Sequence, residues 1–148
     1  MVDADAASSP PQVDSLDVKG EKAGPDVSAR LGSVRRVLDR RFRYLLEGRP
    51  VEFATSCLPL DIARGTAIAE PDPGPCGIYA RLEELGYRLA HFEKEIRARM
   101  PSLDEVCTLR LAPGVPVTRL IRTAYGGQGG VVERGVRHLA ADAYVLPY

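Results

Sequence analysis

The chain is predicted to be an α+β protein, a mostly antiparallel sheet with helices packed on one face, built from two related hairpins. The main sign is a repeat. Residues 41–61 and 122–142 match at a constant offset of 81, with Arg41/Arg122, Tyr44/Tyr125, Gly48/Gly129, Val51/Val132, Glu52/Glu133, Leu58/Leu139 and Asp61/Asp142 identical. Each copy runs from an apolar, Arg-bearing segment through a Gly-containing turn to a segment carrying Glu, the pattern of a β-hairpin. Helix signals lie between the copies, and the resulting order of strands, helix, strand, helix, strands is that of an α+β fold.

In chain order, residues 1–23 are rich in Ala, Ser, Asp and Pro and poor in large apolar side chains, so they are expected to form a disordered lead to a domain spanning 24–148. Asp26 ahead of Val27, Ala29 and Leu31, with Gly32 behind, marks a short helix over 25–32. Val34–Leu46 and Val51–Leu58 form the first hairpin about Glu47-Gly48-Arg49-Pro50. Leu60–Arg64 is a single helical turn. Pro71, Pro73, Gly74 and Pro75 make 69–76 a loop. Ile78, Leu82 and Leu85 share one face of a helix over Gly77–Leu85 that Gly86 ends, and this helix should pack on the sheet. Tyr87–Ala98 alternates loosely and is read as a strand. Ser102-Leu103-Asp104-Glu105 is a capping box opening a helix to about Leu111, before Pro113-Gly114. Val115–Tyr125 and Val131–Leu139 form the second hairpin around Gly126–Gly130, and Ala143–Tyr148 begins a last strand.

Composition narrows the function classes. A chain of 148 residues, 45% hydrophobic and 27% charged, has the size for one domain with a real core. Twenty basic and twenty acidic residues cancel, so no global charge draws it to nucleic acid or to an anionic membrane. Seventeen of the basic residues are Arg, the side chain suited to bidentate grip of carboxylate or phosphate. Cys57, Cys76 and Cys107 are odd in number, lack a C-x-x-C pairing and stand apart from His, which argues against a disulfide framework or a metal site and for buried free thiols. No run is long enough to span a bilayer and no secretory leader opens the chain, so a cytoplasmic location is expected, with no membrane partner.

If Glu47-Gly48 centres a two-residue loop, Arg43 lies opposite Glu52, and Arg41, Arg43 and Glu52 share a face; the second copy places Arg122 diagonal to Glu133. Two readings stand side by side. These residues either converge on a cleft that holds an anionic ligand with hydroxyl or amine donors, or form cross-strand ion pairs on a solvated face. The helix start at Gly77-Ile78-Tyr79 adds free backbone N–H groups of the kind that hold anions. His91 and His138 lack a spaced partner, and no G-x-S-x-G, P-loop or G-x-G-x-x-G motif is present. No catalytic residue, metal ligand or cofactor motif is therefore assigned.

The segments Arg43–Pro59, Gly77–Gly86, Arg122-Thr-Ala-Tyr125 and Ala141-Asp-Ala-Tyr144 together resemble the UTRA effector-binding domain, the C-terminal sensor of HutC-type GntR transcriptional regulators, over residues 24–148. The resemblance implies a chorismate-lyase-like fold, dimerisation through the sensor and a pocket lined by Arg41, Arg43, Glu52, Gly77, Ile78, Tyr79 and Glu133, for a small-molecule effector. This chain departs from the family pattern at Cys76-Gly77, where a hydroxyl residue is common, and at Leu139-Ala140, where many sugar-phosphate sensors carry Tyr-Arg. The family's winged helix-turn-helix has no counterpart in residues 1–23, so DNA is expected to be a partner only through a domain outside this chain. A lyase-like enzyme and a ligand-free dimerisation module are the alternatives.

Overall fold

The computed structural model describes residues 2–3, 12–22, 36–75 and 77–145. In order these form β1 (Val2–Asp3), β2 (Gln12–Lys22), β3 (Arg36–Leu46), β4 (Arg49–Pro59), α1 (Leu60–Ala63), a 3-10 turn (Ala67–Ala69), α2 (Gly77–Glu84), β5 (Leu89–Arg99), α3 (Leu103–Leu109), β6 (Val117–Gly126), β7 (Val131–Ala140) and β8 (Tyr144–Val145). Six strands make one antiparallel sheet in the order β2-β3-β4-β7-β6-β5, while β1 and β8 pair in parallel. The α+β class and the antiparallel sheet are as expected from sequence.

The two hairpins, β3–β4 and β6–β7, abut through β4 and β7. Thr55 pairs there with Val136, its own counterpart at the offset of 81, so a local twofold axis passes through that pair. The first hairpin closes tightly because Glu47 and Gly48 both hold positive φ, 51° and 80°, which gives a turn whose twist matches that of the strands. Each hairpin carries a bulge at the same place. Leu45 pairs with Pro50 and Tyr44 with Glu52, leaving Val51 as the extra residue; Tyr125 pairs with Val131 and Ala124 with Glu133, leaving Val132. Both valines are buried, at 2% and 3% exposure, so the bulges are fixed by packing.

The bulge corrects the register inferred from sequence. Glu52 faces Tyr44 and not Arg43, and Arg43 faces Phe53. Because side chains alternate across a strand, this one-residue change sends Arg41 and Arg43 to the opposite face from Glu52. The longer second turn also makes equivalent positions of β3 and β6 differ by 80, so Arg122, opposite Gly135, stands where Phe42 stands opposite Ala54. Arg41 and Arg122 match in sequence without being equivalent in space.

On the face bearing Glu52, the buried side chains Leu38, Leu58, Leu60, Ala63, Ile68 and Leu82 join the sheet to α1, the 3-10 turn and α2. On the other face, Val51, Leu109, Leu111, Val117 and Ala140 lie beneath α3. Arg43 Nη1 donates to Thr108 O at 2.9 Å and His138 Nε2 lies 3.4 Å from Glu105, which places α3 on the Arg43 side. The helices are thus divided between the two faces and not gathered on one. Removing Leu82 or Leu58 from water in this way stabilises the fold by about 1.5–3 kcal/mol each.

Gln12–Lys22 lies within the expected disordered lead yet forms a full edge strand along β3. Its pairing is carried by the backbone, which needs no large side chains, and Val18 packs against the first core. The remainder of residues 1–23, apart from β1, and the expected helix over 25–32 lie outside the described residues. The capping box is present: Ser102 Oγ accepts from Glu105 N at 3.3 Å, and Glu105 Oε1 from Ser102 N at 2.8 Å. Arg110, at φ 48°, ends α3 slightly before the expected Leu111. Of the thiols, Cys57 is half-buried and donates to Asp39 Oδ1 at 2.7 Å, whereas Cys107 is exposed, against the expectation of three buried thiols; Cys76 is outside the described residues. No helix among the described residues is long and apolar enough to cross a membrane.

Candidate functional site

A cavity of about 990 Å³ opens on the sheet face that carries Glu52 and Glu133. Its floor is the sheet from β3 to β5, and its cover is the Pro71–Pro73 loop with the start of α2. Arg40 fixes that cover. Its buried guanidinium donates to Ile68 O at 2.5 Å, Glu70 O at 2.6 Å and Pro71 O at 3.0 Å, tying the loop to the sheet, and burial lowers its pKa.

Of the residues expected from sequence, Glu52, Gly77, Ile78, Tyr79, Arg122 and Glu133 line the cavity. Arg41 and Arg43 do not. Arg41 Nη2 donates to Asp39 Oδ2 at 3.1 Å, and Arg43 reaches α3 on the far face. Their places are taken by Arg40, Phe42 and Tyr44, the residues of the other parity, and Ser56, Lys94 and Arg137 are among the further polar residues of the lining. The Arg40-x-Phe42-x-Tyr44 alternation was visible in sequence, but choosing between it and Arg41-x-Arg43 required knowing of the bulge. Lys94 and Arg137 come from β5 and β7, whose placement depends on strand order and not on local pattern.

One end of the cavity centres on Glu133. Its carboxylate is buried at 3% exposure and accepts from Ser56 Oγ through Oε1 and from Tyr79 OH through Oε2, both at 2.9 Å. Gly135 leaves room for it, since a β-carbon there would lie 2.9 Å from Glu133 Oε1. Burial raises the Glu133 pKa, against the lowering effect of those two hydrogen bonds and of the Arg122 charge. Tyr79 is pushed up by burial and by the neighbouring Glu133. Arg122 Nε donates to Tyr79 OH at 3.0 Å, and its guanidinium carbon lies 4.6 Å from the Tyr79 ring centre and 4.7 Å from that of Phe92. The terminal nitrogens of Arg122 make no hydrogen bond among the described residues, and Lys94, cross-strand from Arg122, has no charged partner there.

The other end centres on Glu52, which is also buried and receives both Nε and Nη2 of Arg137, the latter at 3.2 Å. Glu52 and Glu133 are counterparts under the local twofold, and so are their partners, residues 137 and 56. Each acid reaches across the β4–β7 seam to the same position of the other repeat. In one half that position holds Arg137, and in the other the short, neutral Ser56. Burial, with Glu52 nearby, raises the pKa of Tyr44 at this end. One acid is thus neutralised by a fixed cation, while the other is held by hydroxyls with an available guanidinium and ammonium beside it. Among the described residues no group of three or more His, Cys, Asp or Glu is placed to hold a metal ion.

The family model for the UTRA domain matches residues 7–145. An HTH-type transcriptional regulator of Streptomyces coelicolor is 37% identical over 112 residues, covering 73% of this chain and 42% of that protein. Another, from Mycobacterium tuberculosis, is 33% identical over 138 residues, covering 90% of this chain and 50% of that protein. The chain therefore spans about half the length of these curated relatives. Among solved structures, the effector domain of PhnF from Mycobacterium smegmatis superposes with a TM-score of 0.75 at 19% identity, covering 89% of this chain and 82% of that one. The C-terminal domain of the histidine utilization repressor from Pseudomonas syringae gives 0.77 at 20% identity, with 93% and 95% covered.

Proposed function

The chain belongs to the UTRA domain family of GntR-type regulators, and on that premise we propose that its cavity binds a small anionic effector and reports occupancy to a DNA-reading domain outside this chain. The observation that carries this is the state of Arg122: a guanidinium lying against the Tyr79 and Phe92 rings, which meet edge to face beside it, oriented by Tyr79 OH, with its terminal nitrogens making no hydrogen bond among the described residues. A cation fixed in place before its anion arrives loses little side-chain entropy on binding. Lys94 adds a second positive charge, and the carboxylates of Glu133 and Glu52 offer remaining lone pairs to hydroxyl or amine groups of the same ligand.

The domain acts through affinity and not bond chemistry. An effector that binds two arrangements of a homodimer unequally shifts their populations by the ratio of its affinities, and DNA-reading heads attached to the two copies change their spacing accordingly. The relatives are transcriptional regulators, which supports a sensor over a lyase-like enzyme. The test is calorimetric titration with sugar phosphates, amino-acid derivatives and aromatic carboxylic acids. At least one should bind, and Arg122→Ala should weaken it by roughly tenfold to a hundredfold, the loss of a charge-assisted contact. Binding that is unchanged in both Arg122→Ala and Lys94→Ala removes this assignment.

A further inference from the structure

We propose that the effector is an anionic amphiphile, an acid head on an unbranched hydrocarbon body, with the head at Arg122 and Lys94 and the body lying across Phe42, Ala54, Leu120 and Ile96. This rests on the anion-binding reading above and adds the chemistry of the rest of the guest. Strand register carries it. Two neighbouring rows of cross-strand partners run across the sheet from β3 to β5, and every residue in them lines the cavity. One row is polar: Arg40, Ser56, Gly135, Arg122 and Lys94. The other is Phe42, Ala54, Arg137, Leu120 and Ile96. Each row crosses four strand spacings, roughly 19 Å, and the two lie about 7 Å apart, two residues along each strand.

In the polar row, Arg40 donates to the loop carbonyls, Ser56 donates to Glu133, and Gly135 has no side chain. That leaves Arg122 and Lys94, cross-strand neighbours on β6 and β5, as the cations for a head group. Burial pushes up the pKa of Glu133 beside Arg122, which lessens its repulsion of an anion there. In the other row, Phe42, Ala54, Leu120 and Ile96 have no hydrogen-bonding side-chain atom. Arg137 turns its guanidinium out of that row to Glu52, the partner of Leu139, and leaves its methylene stem along the strip. A sugar laid there would have hydroxyls without partners, whereas a hydrocarbon body gains from leaving water. The fold also leaves apolar side chains of the lining open to solvent, Ile96 at 50% and Val13 at 55% exposure. An apolar surface bordered by charge in this way suits a guest divided along the same line. The cavity, about 990 Å³, is also at the large end of small-molecule sites, roughly 300–1,000 Å³, and an acid head alone would leave most of it unfilled.

The test is calorimetric titration of the whole chain with hexanoate, octanoate and decanoate below their micelle concentrations, with decanol, inorganic phosphate and ribose phosphate as comparisons. Each step between the acids adds two methylenes and is expected to tighten binding by about fifteenfold, about fourfold per buried methylene. Decanol, the same body without the charge, should bind at least about tenfold more weakly than decanoate. Arg122→Ala should weaken all three acids by one common factor. Ile96→Asn, at a half-exposed position, and Leu120→Ala should instead flatten the chain-length series. A general loss of fold would lower the bound fraction and leave that slope as it was. Ribose phosphate or inorganic phosphate binding more tightly than decanoate, and weakened by Arg122→Ala, would overturn the amphiphile and keep the anion site. Acids that do not bind, or bind without a chain-length series, would also overturn the amphiphile alone. Decanol matching decanoate would overturn the anion site with it.

Discussion

At Glu133 the structure holds a carboxyl in surroundings that resist its charge, and the effect of pH on stability follows. Its pKa is raised by burial, so its contribution to stability is complete below about pH 4.3, the value of a free Glu, and is lost as pH rises through the higher folded value. Glu105 has the opposite sign. Arg99 binds both its oxygens and Ser102 bonds to it, bringing its pKa down to about 2, so its contribution is present above about pH 4.3 and disappears as pH falls toward 2. Urea unfolding from pH 2 to 8 should therefore show Glu133→Gln gaining on the wild type as pH rises from 4 to 7. Glu105→Gln should lose to the wild type at pH 7 and match it near pH 2. A pH-independent gap for Glu133→Gln would show that burial does not raise the pKa of its carboxyl. Glu52, Glu133, Tyr79 and Arg122, which line the cavity, were picked out in the sequence because the repeat and the helix start mark them. Arg40 and Tyr44 were passed over in favour of Arg41 and Arg43, since Val51, the extra residue that decides the face, carries no Gly or other sign of a bulge.

At the scale of elements, punctuation was the most legible feature. Glu47-Gly48, Gly86 and the Ser102 box each delimit an element close to where the residues indicate, because the signals are local and steric. β2 was illegible for the converse reason: its identity as a strand comes from the free edge of β3 and not from its own composition. The placement of α3 on the face opposite α2 was hidden too, since both helices show one apolar stripe and neither states which side of the sheet will receive it. Ser102→Ala removes the acceptor for Glu105 N and should cost about 1 kcal/mol. For a chain of this length that is a fall in Tm of roughly 2–4 °C, readable by calorimetry. A loss no larger than that of an exposed-surface control would show that Glu105, through Arg99 and the Ser102 N–H, fixes the helix start unaided.

For the whole molecule, the sheet is continuous from β2 to β5, and its central pair, β4 and β7, carries both acids of the cavity. An effector bound there, as proposed, is expected to stabilise every strand together. At a hundred times its dissociation constant the gain is about 2.7 kcal/mol, a rise in Tm of roughly 5–10 °C in a single transition. A two-step melt in which only part of the signal moves would show that the floor of the cavity does not unfold as a unit. The exchange of Arg137 for Ser56 across the local axis has its own consequence. A perfectly doubled cradle would accept a guest equally well in either of two poses related by half a turn, and would report both alike. With cation and hydroxyl standing at the two equivalent posts, the two poses would differ in energy, so a guest of the proposed kind is expected to enter with one polarity, and an end-for-end inverted analogue of the same size and charge should be turned away.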